Sequence, residues 1–381
     1  MHKSYLIDAV RTPRARRKGK FSSVHPVDLL TYPLKSLIER NQIAPDEIND
    51  VITGCVTQAG EQSWCVARTA ILASGWPHTI PGVTINRLCS SGLQACNFAS
   101  QGIQSNNYNL VIGSGLEHMT RCPMFSDVSG EESKFLKKQH PDLVHQGLSA
   151  ELIAKKYNFS RLELDQYSYD SQMKAKNAQA NNYFKSIIPV EYKNEGEPFT
   201  LTQDDTIRED TTIEALSSLK PVFKEDGVIT AGNASSIVDG ASAALFSNED
   251  TIKRLNLKPK AEIISTAVIG SDPLLMLTGP IEASKEALKK ANLKINDIDL
   301  WEINEAFAPI VLMTQKELDL DPKVINVNGG GISLGHPLGA TGTMLLGTAV
   351  DELERREKDY ALITMCIGLG MGIATIIKRI N

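Results

Sequence analysis

Leu37-Ile38-Glu39-Arg40-Asn41-Gln42-Ile43, leading into Asp46-Glu47-Ile48-Asn49-Asp50-Val51-Ile52, reads as a helix end, a short turn and a strand. The same succession returns near the other end of the chain, where Leu288-Lys289-Lys290-Ala291-Asn292-Leu293 leads into Asn296-Asp297-Ile298-Asp299-Leu300-Trp301. Each copy then enters a polar loop, Gly54-Cys55 in the first and Asn304-Glu305 in the second. The parallel continues. Thr84-Ile85 runs into Cys89 and a helix predicted over 91–104, while residues 324–328 run into a glycine-rich segment with His336 and a helix predicted over 340–355. Apolar strands follow at 110–113 and 361–364. Three matches in one order indicate an internal duplication. Short apolar runs alternating with helical stretches give the α/β class. Two such halves facing each other would bring Cys89, Asn304, His336 and Cys366 to one seam.

At 381 residues the chain exceeds the usual size of one compact domain, so two domains or two fused halves are expected. A charged fraction of 22% and a net charge of −5 describe an ordinary soluble protein and give no support to a nucleic-acid role. Cysteines at 55, 65, 89, 96, 122 and 366 show no CxxC spacing, and no secretory leader is evident. A disulfide framework is therefore not expected, and a reducing compartment is. The histidines lack metal-ligand spacing, so no metal site is expected. Residues 361–377 are uncharged but shorter than the roughly 20 residues of a membrane helix, and glycines interrupt them. They read as two buried strands joined by a glycine turn, with no membrane span.

Two regions depart from the repeat. Residues 11–20 hold six basic side chains and read as a solvated loop after a first strand at 4–10, the other use being a phosphate-bearing ligand. Residues 118–237 are polar, with a surface helix predicted over 161–181 and the turn-rich Thr230-Ala231-Gly232-Asn233-Ala234-Ser235. They read as an insertion covering the site, since such covers are commonly drawn from loop-rich segments.

Four side chains are candidates for chemistry. Cys89 sits between a strand and a helix start, where backbone N–H groups favour thiolate over thiol, although a buried structural cysteine is the alternative. His336, in Gly335-His336-Pro337, has its backbone fixed by its neighbours and could accept the Cys89 proton, or be a satisfied loop histidine. Cys366 ends a strand and meets Gly-Leu-Gly-Met-Gly. A second thiol there suits proton exchange beside a carbonyl, or is a core cysteine in a tight turn. The Gly368 amide could join that of Cys89 in an oxyanion hole. Asn304 could position a water or a carbonyl oxygen, and Glu305 could orient its neighbours. The glycine-rich run matches neither GxxxxGK[ST] nor a GxGxxG opening a first βαβ unit, which excludes a nucleotide-binding fold.

Taken together, Asn86-Arg87-Leu88-Cys89-Ser90-Ser91-Gly92, Asn304-Glu305-Ala306-Phe307-Ala308, Gly335-His336-Pro337-Leu338-Gly339-Ala340-Thr341-Gly342 and Cys366-Ile367-Gly368-Leu369-Gly370-Met371-Gly372 resemble the signatures of the thiolase family. Weaker likenesses at Val10-Arg11-Thr12-Pro13, Gly113-Ser114-Gly115-Leu116-Glu117 and Thr230 to Ser235 carry the resemblance across essentially the whole chain. The resemblance implies an α/β duplicated fold, with two similar mixed-sheet halves in α-β-α-β-α layers plus an inserted loop domain. The expected division is residues 1–117 with 238–258 for the first half, 118–237 for the insertion and 259–381 for the second half.

The resemblance also implies a mechanism. Cys89, activated by His336, attacks a 3-ketoacyl-CoA, and Cys366 protonates the departing acetyl-CoA carbanion and then deprotonates free CoA. One oxygen rests on His336 and a water held by Asn304; the other hole uses the N–H groups of Cys89 and Gly368. CoA is a substrate, with no permanently bound cofactor, and is expected against His145, Gln146, Arg208, Ala231, Ser235 and Ile237. His145-Gln146 stands where short-chain biosynthetic thiolases have His-Met, which weakens acetoacetyl-CoA specificity. A cytoplasmic homodimer or homotetramer acting in fatty acid or lipid metabolism is the expectation. Three readings compete with a broad acyl-CoA C-acyltransferase: an acetyl-CoA acetyltransferase, a noncatalytic thiolase-like lipid carrier, and a decarboxylating ketoacyl synthase. The last pairs its Cys with two His, whereas Cys366 stands at the second position here.

Overall fold

The computed structural model describes residues 2–193 and 197–380. Its strands are β1 (Tyr5–Arg11), β2 (Ala15–Arg16), β3 (Asp50–Gly54), β4 (Gly82–Ile85), β5 (Leu110–His118), β6 (Val190–Tyr192), β7 (Phe199–Leu201), β8 (Val238–Ser247), β9 (Ala261–Gly270), β10 (Leu300–Ile303), β11 (Tyr360–Ile367) and β12 (Met371–Arg379).

The duplication appears in the strand order. In the first half β3 runs parallel to β4 and β5, β5 is antiparallel to β8, and β8 is antiparallel to β1. In the second half β10 runs parallel to β11, β11 is antiparallel to β12, and β12 is antiparallel to β9. A parallel bridge from Trp301 to Ile325 takes the place of β4. The halves were expected as two sheets. They join into one strand path through two residue pairs, Tyr5 with Glu262 and Leu6 with Ala261.

The repeat extends to single hydrogen bonds. The helices Pro26–Asn41 and Gly279–Ala291 both end on a left-handed residue, Gln42 and Asn292, a position that asparagine-like side chains tolerate. Asn49 Oδ1 accepts the backbone N–H groups of Asn109 and Leu110, as Asp299 Oδ2 accepts those of Asp359 and Tyr360. In each half one side chain ahead of the first strand thus sets the start of its parallel neighbour.

Helices Ser91–Gln104 and Leu338–Arg356 lie between the two half-sheets and contact strands of both. Residues 338–353 are buried all round, as a helix without a solvent face must be. Three hydrophobic cores separate the layers: one under helix Pro26–Asn41, one between the half-sheets, and one under helix Gly279–Ala291. The central helices meet at glycine. A Cβ on Gly92 would lie 2.5 Å from the Gly339 carbonyl oxygen, and one on Gly342 would lie 2.3 Å from the Leu93 nitrogen. Any side chain there would force the helix starts apart.

The polar region 118–237 holds helices Lys134–Gln139, Gln146–Tyr157, Arg161–Ala180 and Ile213–Ser217 and the hairpin β6–β7. Helix Arg161–Ala180 is not simply a surface helix. Leu164, Asp165, Ser168, Ser171, Gln172, Ala175 and Ala178 are buried, because this small and polar face packs on the glycine-rich segment around residue 331. The basic run is a second correction. Arg16, Arg17, Lys18 and Lys20 are exposed, but Arg11 and Arg14 are 0% and 1% exposed. Asp204 receives both Arg11 Nη atoms at 2.7 and 2.8 Å and the Arg14 backbone N–H at 2.7 Å. A paired, bidentate guanidinium can be buried where a lone one cannot.

Candidate active site

The Cys89 turn is built by its own motif. Asn86 Oδ1 accepts the Leu88 N–H at 2.8 Å, Asn86 Nδ2 donates to the Val56 carbonyl at 3.0 Å, and the Ser91 hydroxyl accepts the Arg87 N–H at 2.8 Å. These bonds hold Leu88 at φ 45°, a left-handed conformation costly for a branched side chain. The turn delivers the Cys89 sulfur two residues ahead of helix Ser91–Gln104, with its own N–H and that of Gly368 directed at it.

Cys366 closes β11, and the three residues Gly368, Leu369 and Gly370 reverse the chain into β12, with Leu369 at φ 65° and Gly370 at φ 78°. The reversal puts the Gly368 amide on the Cys89 sulfur and the Cys366 thiol within electrostatic reach of Cys89. Asn304 follows β10, its N–H bonded to the Thr364 carbonyl of β11 at 3.0 Å. Its Nδ2 lies 3.3 Å from His336 Nε2, and its Oδ1 is buried without a partner among the described residues. His336 is anchored by its N–H to the Ser236 carbonyl, and Leu338, two residues on, packs with Cys89, Val56 and Met119. The structure therefore brings Cys89, Gly368, Cys366, Asn304 and His336 to one seam.

The histidine tautomer follows from its neighbours. Thr341 Oγ1 donates to the Pro337 carbonyl at 2.9 Å, so it accepts from His336 Nδ1–H at 2.5 Å. Nδ1 carries the proton, and the Nε2 lone pair faces Asn304. Burial, reinforced by the nearby Arg14 guanidinium, lowers the His336 pKa to about 3. Burial pushes the Cys89 thiol up to about 11, against the opposing pull of the two amides. Cys366 is raised further, by burial and then by Cys89. An amide-stabilised thiolate was expected from the helix start, but desolvation outweighs the amide field. The resting pair is thus a neutral thiol and a neutral imidazole.

Several supporting residues were missed in the sequence. Glu117 accepts the N–H groups of Val56, Thr57 and Gly339, tying the first-half loop to the helix that follows His336. Thr341 stands one helical turn past Pro337, a spacing that could have revealed it. Glu305 does orient its surroundings, receiving Tyr167, Ser171, Asn326 and the Ile332 N–H. Glu302, buried among Glu352 and Glu305, has its pKa raised to about 8, burial being the largest cause.

A cavity of about 280 Å³ opens on Cys89. Its walls include Val56, Leu88, Met124, Phe125, Val128, Val144, Met276, Leu338 and Leu369, together with His145 and Gln146. His145 stacks on Phe223 at 5.3 Å, and Phe223 meets Phe307 edge-on at 5.9 Å. Arg208 and Ala231 line a second depression of about 220 Å³ with Gln172, Asp210 and Ser236. Ser235 and Ile237 line neither. The Ser235 N–H is bonded to Ala306, and the Ile237 carbonyl accepts from Arg17. All six cysteines are free thiols. No group of side chains suited to a metal occurs among the described residues, and no described helix is long and apolar enough to cross a membrane.

Residues 4–250 match the thiolase N-terminal domain, and residues 257–379 match the thiolase C-terminal domain. The chain is 41% identical to a steroid 3-ketoacyl-CoA thiolase of Mycobacterium tuberculosis, over 100% of this chain and 95% of that protein. It is 39% identical to a β-ketoadipyl-CoA thiolase of Acinetobacter baylyi, over 100% of both chains. Among solved structures, an acetyl-CoA acetyltransferase of Bacillus anthracis superposes with a TM-score of 0.92 at 35% identity, covering 100% of this chain and 99% of the other.

Proposed function

The chain belongs to the thiolase family, and on that premise we propose that it cleaves 3-ketoacyl-CoA with CoA to acyl-CoA and acetyl-CoA, reversibly, through an acyl-enzyme on Cys89. The observation that carries this reading is the pairing of two thiols across one amide. The Gly368 N–H addresses the Cys89 sulfur while Cys366 stands close enough to feel it.

His336 Nε2 takes the Cys89 proton as the sulfur adds to the keto carbon, so neither group needs to be charged beforehand. The bond between C2 and C3 breaks, its electron pair leaves on the acetyl-CoA carbon, and the Cys366 thiol protonates that carbon. The Cys366 thiolate then takes the proton of free CoA, whose sulfur attacks the Cys89 thioester and expels Cys89 to recover its proton from His336. His336 and Asn304 serve one oxyanion, and the N–H groups of Cys89 and Gly368 serve the other. The low pKa of His336 keeps it a neutral base at physiological pH.

CoA spans the two depressions in this reading. Its pantetheine passes His145 and Gln146, and its nucleotide end lies by Arg208, Ala231, Ser235 and Ile237. The aromatic row His145, Phe223 and Phe307 supports that course. We read the chain as divided at 1–117 with 238–258, 118–237 and 259–381. Edge strand β4, with Val83 exposed, and the 90% exposed Trp64 support a homo-oligomer, and the free thiols support a cytoplasmic setting. A specificity restricted to acetoacetyl-CoA has the likeness to the acetyl-CoA acetyltransferase in its favour. The apolar cavity at Cys89 favours longer chains. CoA-dependent cleavage of a ladder of 3-ketoacyl-CoAs decides between them. Activity rising beyond acetoacetyl-CoA supports the broad acyltransferase, a peak at acetoacetyl-CoA supports the restricted one, and no cleavage by folded protein refutes both.

A further inference from the structure

The cavity at Cys89 carries a charge that thioester chemistry leaves unused. Among the described residues Asp127 is the sole carboxylate on its walls, and no lysine or arginine accompanies it there. Among the described residues its side chain has no ion-pair or hydrogen-bond partner. It stands on a short turn between Phe125 and Val128, which are 56% and 73% exposed and also line the cavity.

Two observations locate its field. Asp127 is among the groups that raise the buried Cys55 thiol, after burial itself, Glu117 and Cys122, and Cys55 directly precedes the lining residues Val56 and Thr57. The carboxylate that bears on the Cys89 thiol is instead Glu117. Asp127 and Cys89 thus line one cavity, and a chain held at Cys89 extends into a space that the Asp127 carboxylate faces. A space of about 280 Å³ is about 8 Å across, so a second negative charge inside it lies within the roughly 10 Å over which charges interact at 0.1 M salt.

The geometry points to Asp127 as an electrostatic selectivity gate: the site accepts 3-ketoacyl chains with a neutral, apolar end and rejects chains that end in a carboxylate. The inference rests on the reading of Cys89 as the acyl-forming thiol. The apolar walls favour the accepted chain by burying it. They worsen the rejected one, because a carboxylate there loses water and gains no cationic partner. The β-ketoadipyl-CoA thiolase of Acinetobacter baylyi is named for a chain of the second kind.

The test compares kcat/KM for CoA-dependent cleavage of 3-oxohexanoyl-CoA and 3-oxohexanedioyl-CoA, two six-carbon chains differing at the terminus. Wild type should favour the neutral chain by about 100-fold, and the ratio should narrow with added salt, which screens an exposed carboxylate. Asp127→Asn should narrow the ratio by about tenfold and Asp127→Lys by more, through faster cleavage of the carboxylated chain. Glu131→Gln, an equal charge change on the same segment outside the cavity, should leave the ratio unaltered. Equal cleavage of both substrates by wild type, or an unchanged ratio in both Asp127 variants, overturns the gate alone. Cleavage of neither substrate by folded wild type overturns the functional reading and the gate with it.

Discussion

The two halves share one backbone plan and differ in what stands at its corners. Cys89 and His336 each lie two residues ahead of a central helix, Ser91–Gln104 and Leu338–Arg356. Asp50 pairs with Val111 as Leu300 pairs with Ala361, so counting along the ladders sets Gly54 opposite Asn304 and Leu116 opposite Cys366. In the proposed mechanism the first half thus supplies one reactive group, and the second supplies the base, the amide and the second thiol. Packing accounts for the asymmetry. A Cβ on Gly54 would lie 2.2 Å from the Ser91 carbonyl carbon, so the first half closes its corner with backbone. The second half keeps room there for an asparagine. Duplication provided two equivalent corners, and close approach of the helices left one of them free for side-chain chemistry.

The largest effects should come from removing the thiols that sit at inequivalent corners. Cys89→Ala is expected to lower turnover at least ~10⁴-fold and to abolish acyl-enzyme, whereas Cys366→Ala should still acylate and fail to turn over. Intact-mass measurement after incubation with substrate separates the two, and full turnover in either variant would break the assignment. Next comes the closed corner. Gly54→Ala should destabilise the fold by about 3 kcal/mol, seen as a lowered urea midpoint. A midpoint equal to wild type would show that the corner has room after all.

A smaller effect belongs to Thr341, which positions His336 without touching the reacting atoms. Thr341→Val should reduce kcat about tenfold with KM little changed, and Thr341→Ser should restore it. An unaltered kcat in the valine variant would mean that the tautomer is fixed by something else.

The smallest effect concerns Glu302, whose folded pKa of about 8 lies above the ordinary carboxylate value. The native state binds the extra proton, so stability is full below the unfolded pKa and is lost as pH rises through about 8. His336 works the other way, its stability being full above the ordinary histidine value and lost as pH falls towards about 3. Between pH 7 and 8.5 wild type should therefore lose about 1 kcal/mol more than Glu302→Gln in urea unfolding. Parallel curves would remove Glu302 from that account.

Local sequence carried much of this. Helix Ser91–Gln104 was legible to the residue, and the paired helix–turn–strand units gave the duplication, because capping and hydrophobic period are written within a few neighbours. The placement of Cys89, Asn304, His336, Cys366 and Gly368 at strand and helix ends was legible because glycine, serine or proline marks those ends. What escaped depends on distant partners. Arg11 looks solvated until Asp204, 193 residues away, is folded against it. The join of the half-sheets rests on two residue pairs that no pattern announces. The protonation of Cys89 and His336 is decided by how much of the chain covers them, which the local field of a helix start does not report.

Strand β8 lies between β1 and β5, yet it follows the whole polar region 118–237 in the chain. During synthesis β1 and β5 therefore emerge long before the strand that will bridge them. At about 5–20 residues per second, the wait between β1 and β8 is on the order of tens of seconds. Through that interval two strands that are buried in the finished fold have open edges, and the first half cannot complete its sheet. Residues 118–237 thus set a timetable: the ribosome must pass through them before β8 can complete the sheet, and a chaperone has that interval in which to act.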